Sequence, residues 1–77
     1  MLLVLNRNAD GNEINIIKKK INKLGFEVNE INELNYHILG IIGDTSSIDP
    51  GIFEAYKAVN KVMPVQAILA KFVYFYN

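Results

Sequence analysis

Few side chains in this chain are suited to acid–base or nucleophilic chemistry. There is one histidine, His37, and there is no cysteine, which excludes a disulfide framework and thiolate chemistry. A catalytic histidine normally works with an orienting group and a nucleophile, and the sequence shows no such arrangement. The pattern therefore favours a structural role for His37, as a sheet residue near the end of a hairpin.

Two carboxylates, Asp44 and Asp49, flank the segment Thr45-Ser46-Ser47. A metal site or an acid–base pair would need convergent carboxylates or further ligands. Turn and helix-cap roles explain both residues without any ligand. The sequence therefore predicts no metal site, no cofactor and no catalytic residue.

Two glycines, Gly40 and Gly43, stand at the end of an apolar run. Their spacing matches neither a dinucleotide fingerprint nor a P-loop. A glycine within a strand marks close approach of another backbone or of a ligand. For Gly40, internal packing and contact with a ligand or second subunit both remain open from the residues alone.

Composition bounds the class of protein. The 77 residues are expected to form one domain spanning residues 1–77, and 51% of them are hydrophobic, which leaves apolar surface for a partner to cover. Eight basic and eight acidic residues cancel, and the sequence pI is about 6.5. No nucleic-acid or membrane partner is therefore expected. The lysines at 18–20 are read as a solvated helix face rather than an anion site, and a cytoplasmic location is expected.

Hydrophobic periodicity predicts six elements in the order βαββαβ. This order predicts an α+β, ferredoxin-like sandwich with a four-stranded antiparallel sheet and two helices on one face. Pro64, within the predicted last strand, indicates a sheet edge or a bulge. The predicted strands are 2–5, 26–31, 36–42 and 62–73; the predicted helices are 13–24 and a segment after Pro50 whose apolar stripe runs through Ile52, Ala55, Tyr56 and Val59.

Aromatic residues are concentrated at the end of the chain. Rows of exposed aromatic side chains are typical of contact surfaces. Together with the uncovered face of the predicted sheet, they make an interface with another chain or domain a candidate function of this segment. The candidate interface residues are Phe72, Tyr74, Phe75 and Tyr76.

The run Leu39-Gly40-Ile41-Ile42-Gly43-Asp44-Thr45, with Leu2-Leu3-Val4-Leu5 and Lys71-Phe72-Val73, resembles the N-terminal ferredoxin-like regulatory domain of one class of 3-deoxy-D-arabino-heptulosonate 7-phosphate (DAHP) synthase. The resemblance implies an ACT-like domain that precedes a (β/α)8 barrel. It further implies feedback inhibition by an aromatic amino acid, tyrosine or phenylalanine. The inhibitor would be held where two such domains of different subunits meet.

The resemblance also assigns candidate effector-binding residues. Asn29 and Ile31 align with positions where some members place a histidine and a serine toward the inhibitor, and Gly40 would permit close approach. An asparagine can hydrogen-bond an amino acid, whereas isoleucine cannot. The barrel carries the chemistry in such synthases, so no catalysis is expected of this chain alone.

Two functional hypotheses follow, and a stand-alone enzyme is disfavoured. The first is a homo-oligomeric regulatory domain that binds tyrosine or phenylalanine and controls a catalytic barrel domain or chain in aromatic amino-acid biosynthesis. The second is a ligand-free oligomerisation or docking module that uses the open sheet face and the aromatic C-terminal tail.

Overall fold

The computed structural model describes residues 1–64 and arranges them as one antiparallel sheet with helices packed against it. The strand order is β2-β3-β1-β4, and every neighbouring pair is antiparallel. The predicted order βαββαβ and the α+β, ferredoxin-like class are confirmed. The elements are β1 (Leu2–Leu5), α1 (Gly11–Lys23), β2 (Glu27–Asn32), β3 (His37–Ile42), α2 (Gly51–Glu54) and β4 (Val59–Met63).

Local sequence sets both ends of α1. The carboxylate of Asp10 accepts a hydrogen bond from the backbone N–H of Asn12 at 3.1 Å and so caps the helix. Gly25 follows the last turn with a φ of 95°, a conformation that favours glycine. The helix begins at Gly11, two residues before its predicted start.

The core lies between the helices and one face of the sheet. Side chains alternate between the two faces of a strand, and the buried residues of β1 and β3 all fall on the same face. Both helices contribute to the cluster, so both cover that face, as predicted. The fully buried side chains with the largest volumes are Phe53, Met1, Leu3, Ile17, Ile21, Leu39 and Ile41.

The sequence-based boundary between α2 and β4 is wrong. The predicted helical stripe included Val59, but α2 is a single turn and Val59 begins β4, three residues before the predicted start at 62. Val59 pairs with Leu5 of β1 across an irregularity in the register and is buried. Pairing with β1 satisfies backbone groups that a longer helix would have satisfied internally, and it buries Val59 as well.

Among residues 1–64, β4 lies at a sheet edge and ends at Met63, directly before Pro64, so the edge is the one of the two predicted alternatives that is seen. β3 lies in the interior, as its apolar sequence predicted. The predicted strand beyond residue 64 falls outside the described residues. The candidate interface residues of the tail, Phe72, Tyr74, Phe75 and Tyr76, also lie outside them.

Gly43 ends β3 in a conformation that only glycine readily adopts. Its φ is 135°, and a Cβ at this position would lie 2.5 Å from Cδ1 of Phe26. Phe26 is half-buried and packs against the core. The glycine therefore allows the ring of Phe26 to close this end of the core.

Replacing Gly43 with alanine tests this contact. We expect Gly43→Ala to lower the free energy of unfolding by about 3 kcal/mol, because backbone strain and a clash with Phe26 act together. Gly25→Ala is the matched control, since it also has a positive φ but has open space around the added methyl group. Its expected cost is about 1 kcal/mol. Urea unfolding compares the two, and equal costs would contradict the packing role of Gly43.

Candidate functional site

The second face of the sheet is covered by no element within residues 1–64, and we call it the open face. Because Leu3, Leu39 and Ile41 point to the helices, the alternate positions of each strand point away from them. The open face is mostly apolar, and Ile42 and Met63 are 46% and 38% exposed. The residues of β1 to β4 on the open face are Leu2, Val4, Glu27, Asn29, Ile31, Ile38, Gly40, Ile42, Lys61 and Met63.

Gly40 occupies the middle of the open face. Its cross-strand neighbours are Asn29 on β2 and Leu2 on β1. A Cβ at Gly40 would lie 3.5 Å from Cδ2 of Leu2 and 3.6 Å from the backbone oxygen of Asn29, which is ordinary van der Waals contact. The missing side chain therefore leaves a shallow depression between these two residues.

The three predicted effector residues come together on this face. Asn29 pairs directly with Gly40, and Ile31, two positions further along β2, pairs with Ile38. Asn29 is exposed, and its side-chain amide has no hydrogen-bond partner among the described residues. The site thus combines an apolar floor with one available polar group, an arrangement suited to holding a flat apolar ligand that carries a polar substituent.

A charged cluster lies on the opposite face of β2. Glu30 Oε1 accepts a hydrogen bond from Nζ of Lys18 on α1, and Glu30 Oε2 lies 2.5 Å from Nε2 of His37. The hydrogen bond from Lys18, followed by that from His37, holds the pKa of Glu30 below its ordinary value. Sequence reasoning missed this cluster, although the hairpin register that pairs Asn32 with His37 places positions 30 and 37 on one face.

The other residues considered for chemistry, His37, Asp44 and Asp49, make local contacts in turns and at the start of a strand. His37 begins β3 at the end of the β2–β3 hairpin and contacts a carboxylate. The carboxylate of Asp44 accepts hydrogen bonds from the hydroxyl and backbone N–H of Ser46, and these bonds lower the pKa of Asp44. Asp49 accepts a hydrogen bond from the backbone N–H of Gly51 at 2.9 Å. Both aspartates therefore stabilise the turns that lead into α2.

Metal and membrane sites were also sought. Across residues 1–64, no three histidine, aspartate or glutamate side chains converge in a way that would hold a metal ion. None of the helices in that part of the chain has the length and apolar character needed to cross a membrane.

Comparison with known proteins identifies the family. A family model described as the DAHP synthase ferredoxin-like domain matches residues 1–67. The chain belongs to this family. The match includes every strand and helix from β1 to β4, so the resemblance stated from the sequence and the ferredoxin-like fold are both confirmed. No curated protein sequence matches this chain significantly.

The lowered pKa of Glu30 makes a prediction about acid stability. A carboxyl group whose pKa is lower in the folded state than in the unfolded state stabilises the protein at pH values above the ordinary pKa of the group. This contribution is lost as the pH falls through the folded-state pKa. We expect Glu30→Gln to lower the free energy of unfolding at neutral pH by about 1 kcal/mol. The deficit should shrink as the pH falls from about 5 to about 3.

Thermal or urea unfolding across that interval measures the effect. Glu33→Gln is the matched control, because Glu33 stands in the exposed hairpin turn and forms no ion pair within residues 1–64. A Glu30→Gln deficit that stays constant with pH, or that equals the Glu33→Gln deficit, would contradict the assignment.

Proposed function

We propose that this chain is a non-catalytic regulatory domain that binds an aromatic amino acid, tyrosine or phenylalanine, on its open face. The binding site is completed where the open face meets a second such domain. Acting in the cytoplasm, the domain controls a DAHP synthase barrel and thereby the entry of carbon into aromatic amino-acid biosynthesis.

The observation that carries this proposal is the position of Asn29, Ile31 and Gly40. They lie side by side on an apolar sheet face that no other described element covers, in a chain of the DAHP synthase ferredoxin-like family. The depression at Gly40 gives an aromatic ring a place to lie against the sheet. The free amide of Asn29 stands at its edge and supplies a hydrogen-bonding group for the amino acid.

Regulation requires that the effector bind two arrangements of the domains with different affinities. An effector shared between two open faces stabilises the arrangement in which those faces meet. The size of the regulatory effect equals the difference between its binding free energies for the two arrangements. A domain that holds its ligand between two faces therefore links effector concentration to the way the domains pair.

Replacing Asn29 with alanine tests the polar contact. We expect Asn29→Ala to weaken tyrosine or phenylalanine binding about fivefold, which is the loss typical of one hydrogen bond. Asn22→Ala is the matched control, because Asn22 is exposed on α1 in the opposite layer. Amide chemical-shift titration or calorimetry measures the affinity. Equal affinities for the two variants would remove Asn29 from the site.

Filling the depression tests the apolar contact. Gly40→Val places a bulky side chain there, and Gly40→Ala is the smaller companion variant, because a Cβ at Gly40 makes only ordinary contacts. We expect binding to weaken at least tenfold in Gly40→Val and less in Gly40→Ala, while circular dichroism shows that the fold of each variant is retained. Unchanged affinity in Gly40→Val would place the effector elsewhere.

The exposed apolar surface also favours a second candidate function. In a ligand-free oligomerisation or docking module, the open face and the aromatic tail residues Phe72, Tyr74, Phe75 and Tyr76 would bind a second copy or a catalytic chain. The exposure of Ile42 supports this alternative, because an apolar sheet face in water is typical of contact surfaces.

Removing residues 72–77 separates the two candidates. If the tail is an interface, sedimentation should show that the truncated chain assembles with fewer subunits than the full chain while keeping its fold. If it also still binds tyrosine, the effector site and the assembly site are separate. A truncated chain that assembles with the same number of subunits as the full chain and binds its ligand equally well would remove the tail from both functions.

A further inference from the structure

Glu30 stands between Asn29 and Ile31 on β2, and its side chain points to the opposite face of the sheet. It accepts a hydrogen bond from Lys18 of α1 and lies 2.5 Å from the ring nitrogen Nε2 of His37 on β3. One carboxylate thus joins the strand that carries two effector residues to the helix layer and to the neighbouring strand.

This connection matters because apolar packing holds the second half of β2 only weakly. Within residues 1–64, β2 is an edge strand that pairs only with β3. On the face toward the helices its side chains are Val28, Glu30 and Asn32, and Val28 is the one that packs against the core. Beyond Val28, the link between β2 and α1 is therefore the ion pair of Glu30 with Lys18.

One of the two side chains that contact Glu30 among residues 1–64 is a histidine. Glu30, Lys18 and His37 line a polar cleft that also includes Arg7 and Asp10 from the turn between β1 and α1. Arginine, lysine and carboxylate side chains ordinarily keep their charges between about pH 5 and 8, whereas histidine changes its charge in that interval. Of the two side chains that contact Glu30 among residues 1–64, only His37 therefore belongs to a residue type that changes its charge in that interval.

We propose that Glu30 is a positioning residue for the open face and that protonation of His37 strengthens this positioning. The aromatic effector then binds more tightly on the acidic side of neutrality. By linkage, a bound effector also favours the protonated form of His37. This inference rests on the proposed function for the identity of the effector, while the positioning itself is a property of the domain alone.

The test measures tyrosine affinity by calorimetry at about pH 6 and about pH 8. We expect the 77-residue chain to bind tyrosine about threefold to fivefold more tightly at the lower pH, the ratio expected between a charge-assisted and a neutral hydrogen bond. The variant His37→Gln should bind tyrosine with the same affinity at both pH values. At the lower pH, Glu30→Gln should bind tyrosine more weakly than the unaltered chain does, and its affinity should not change with pH. Glu33→Gln should behave like the unaltered chain.

The His37→Gln variant also controls for other groups that titrate nearby. Burial lowers the pKa of the amino group of Met1, and tyrosine has its own titrating groups. Both remain present in His37→Gln, so any pH dependence that survives there belongs to them. Equal pH dependence in His37→Gln and in the unaltered chain, or no pH dependence in either, would overturn the inference.

A second measurement keeps the inference testable if neither tyrosine nor phenylalanine binds, an outcome that would overturn the proposed function. Amide hydrogen exchange in β2 is compared between the unaltered chain and His37→Gln in the same buffer at each pH. We expect greater protection in the unaltered chain at about pH 6 and a smaller difference at about pH 8. The same protection in both proteins at both values would show that His37 does not position β2.

Discussion

The structure depends on one constraint: a short βαββαβ chain with right-handed crossovers places both of its helices on the same side of the sheet. The core then forms on that side, where Phe53 packs with residues of β1 and β3 and with three isoleucines of α1. These are Leu3, Leu39 and Ile41 from the strands and Ile14, Ile17 and Ile21 from the helix. None of the helices in residues 1–64 covers the other side of β1 and β3, yet that side carries apolar side chains as well. The same topology that builds the core therefore creates the open face, and the candidate function of the domain lies on it.

Much of this arrangement follows from the sequence. Apolar spacing gave α1 to within two residues at its start, and the apolar run of β3 correctly indicated an interior strand. The error at Val59 has a physical reason, because its spacing from Ile52 and Tyr56 fits a helical stripe as well as it fits the start of a strand. Only pairing with Leu5, more than fifty residues earlier in the chain, decides between the two.

The candidate site was less accessible to sequence reasoning. Asn29, Ile31 and Gly40 were singled out through a family resemblance, and the register of β2 against β3 is needed to show that they share a face. The Glu30 cluster was missed, since its partners come from α1 and from the far side of a hairpin. Side chains alternate along β2, so the candidate effector residues Asn29 and Ile31 lie on one face, and Glu30, which forms an ion pair with Lys18, lies on the other.

The edge strands of the sheet carry residues that disfavour the addition of a further strand. An exposed strand edge offers unpaired backbone groups that invite growth of the sheet by addition of another strand. Here β4 carries Lys61 and is followed by Pro64, which has no backbone N–H to donate, and β2 carries Glu27 and Glu30. Charge and proline thus discourage edge-to-edge polymerisation at both sides. The pairing through the open face that we propose would instead be self-limiting, because a face used once by each of two copies closes a pair rather than extending a fibre.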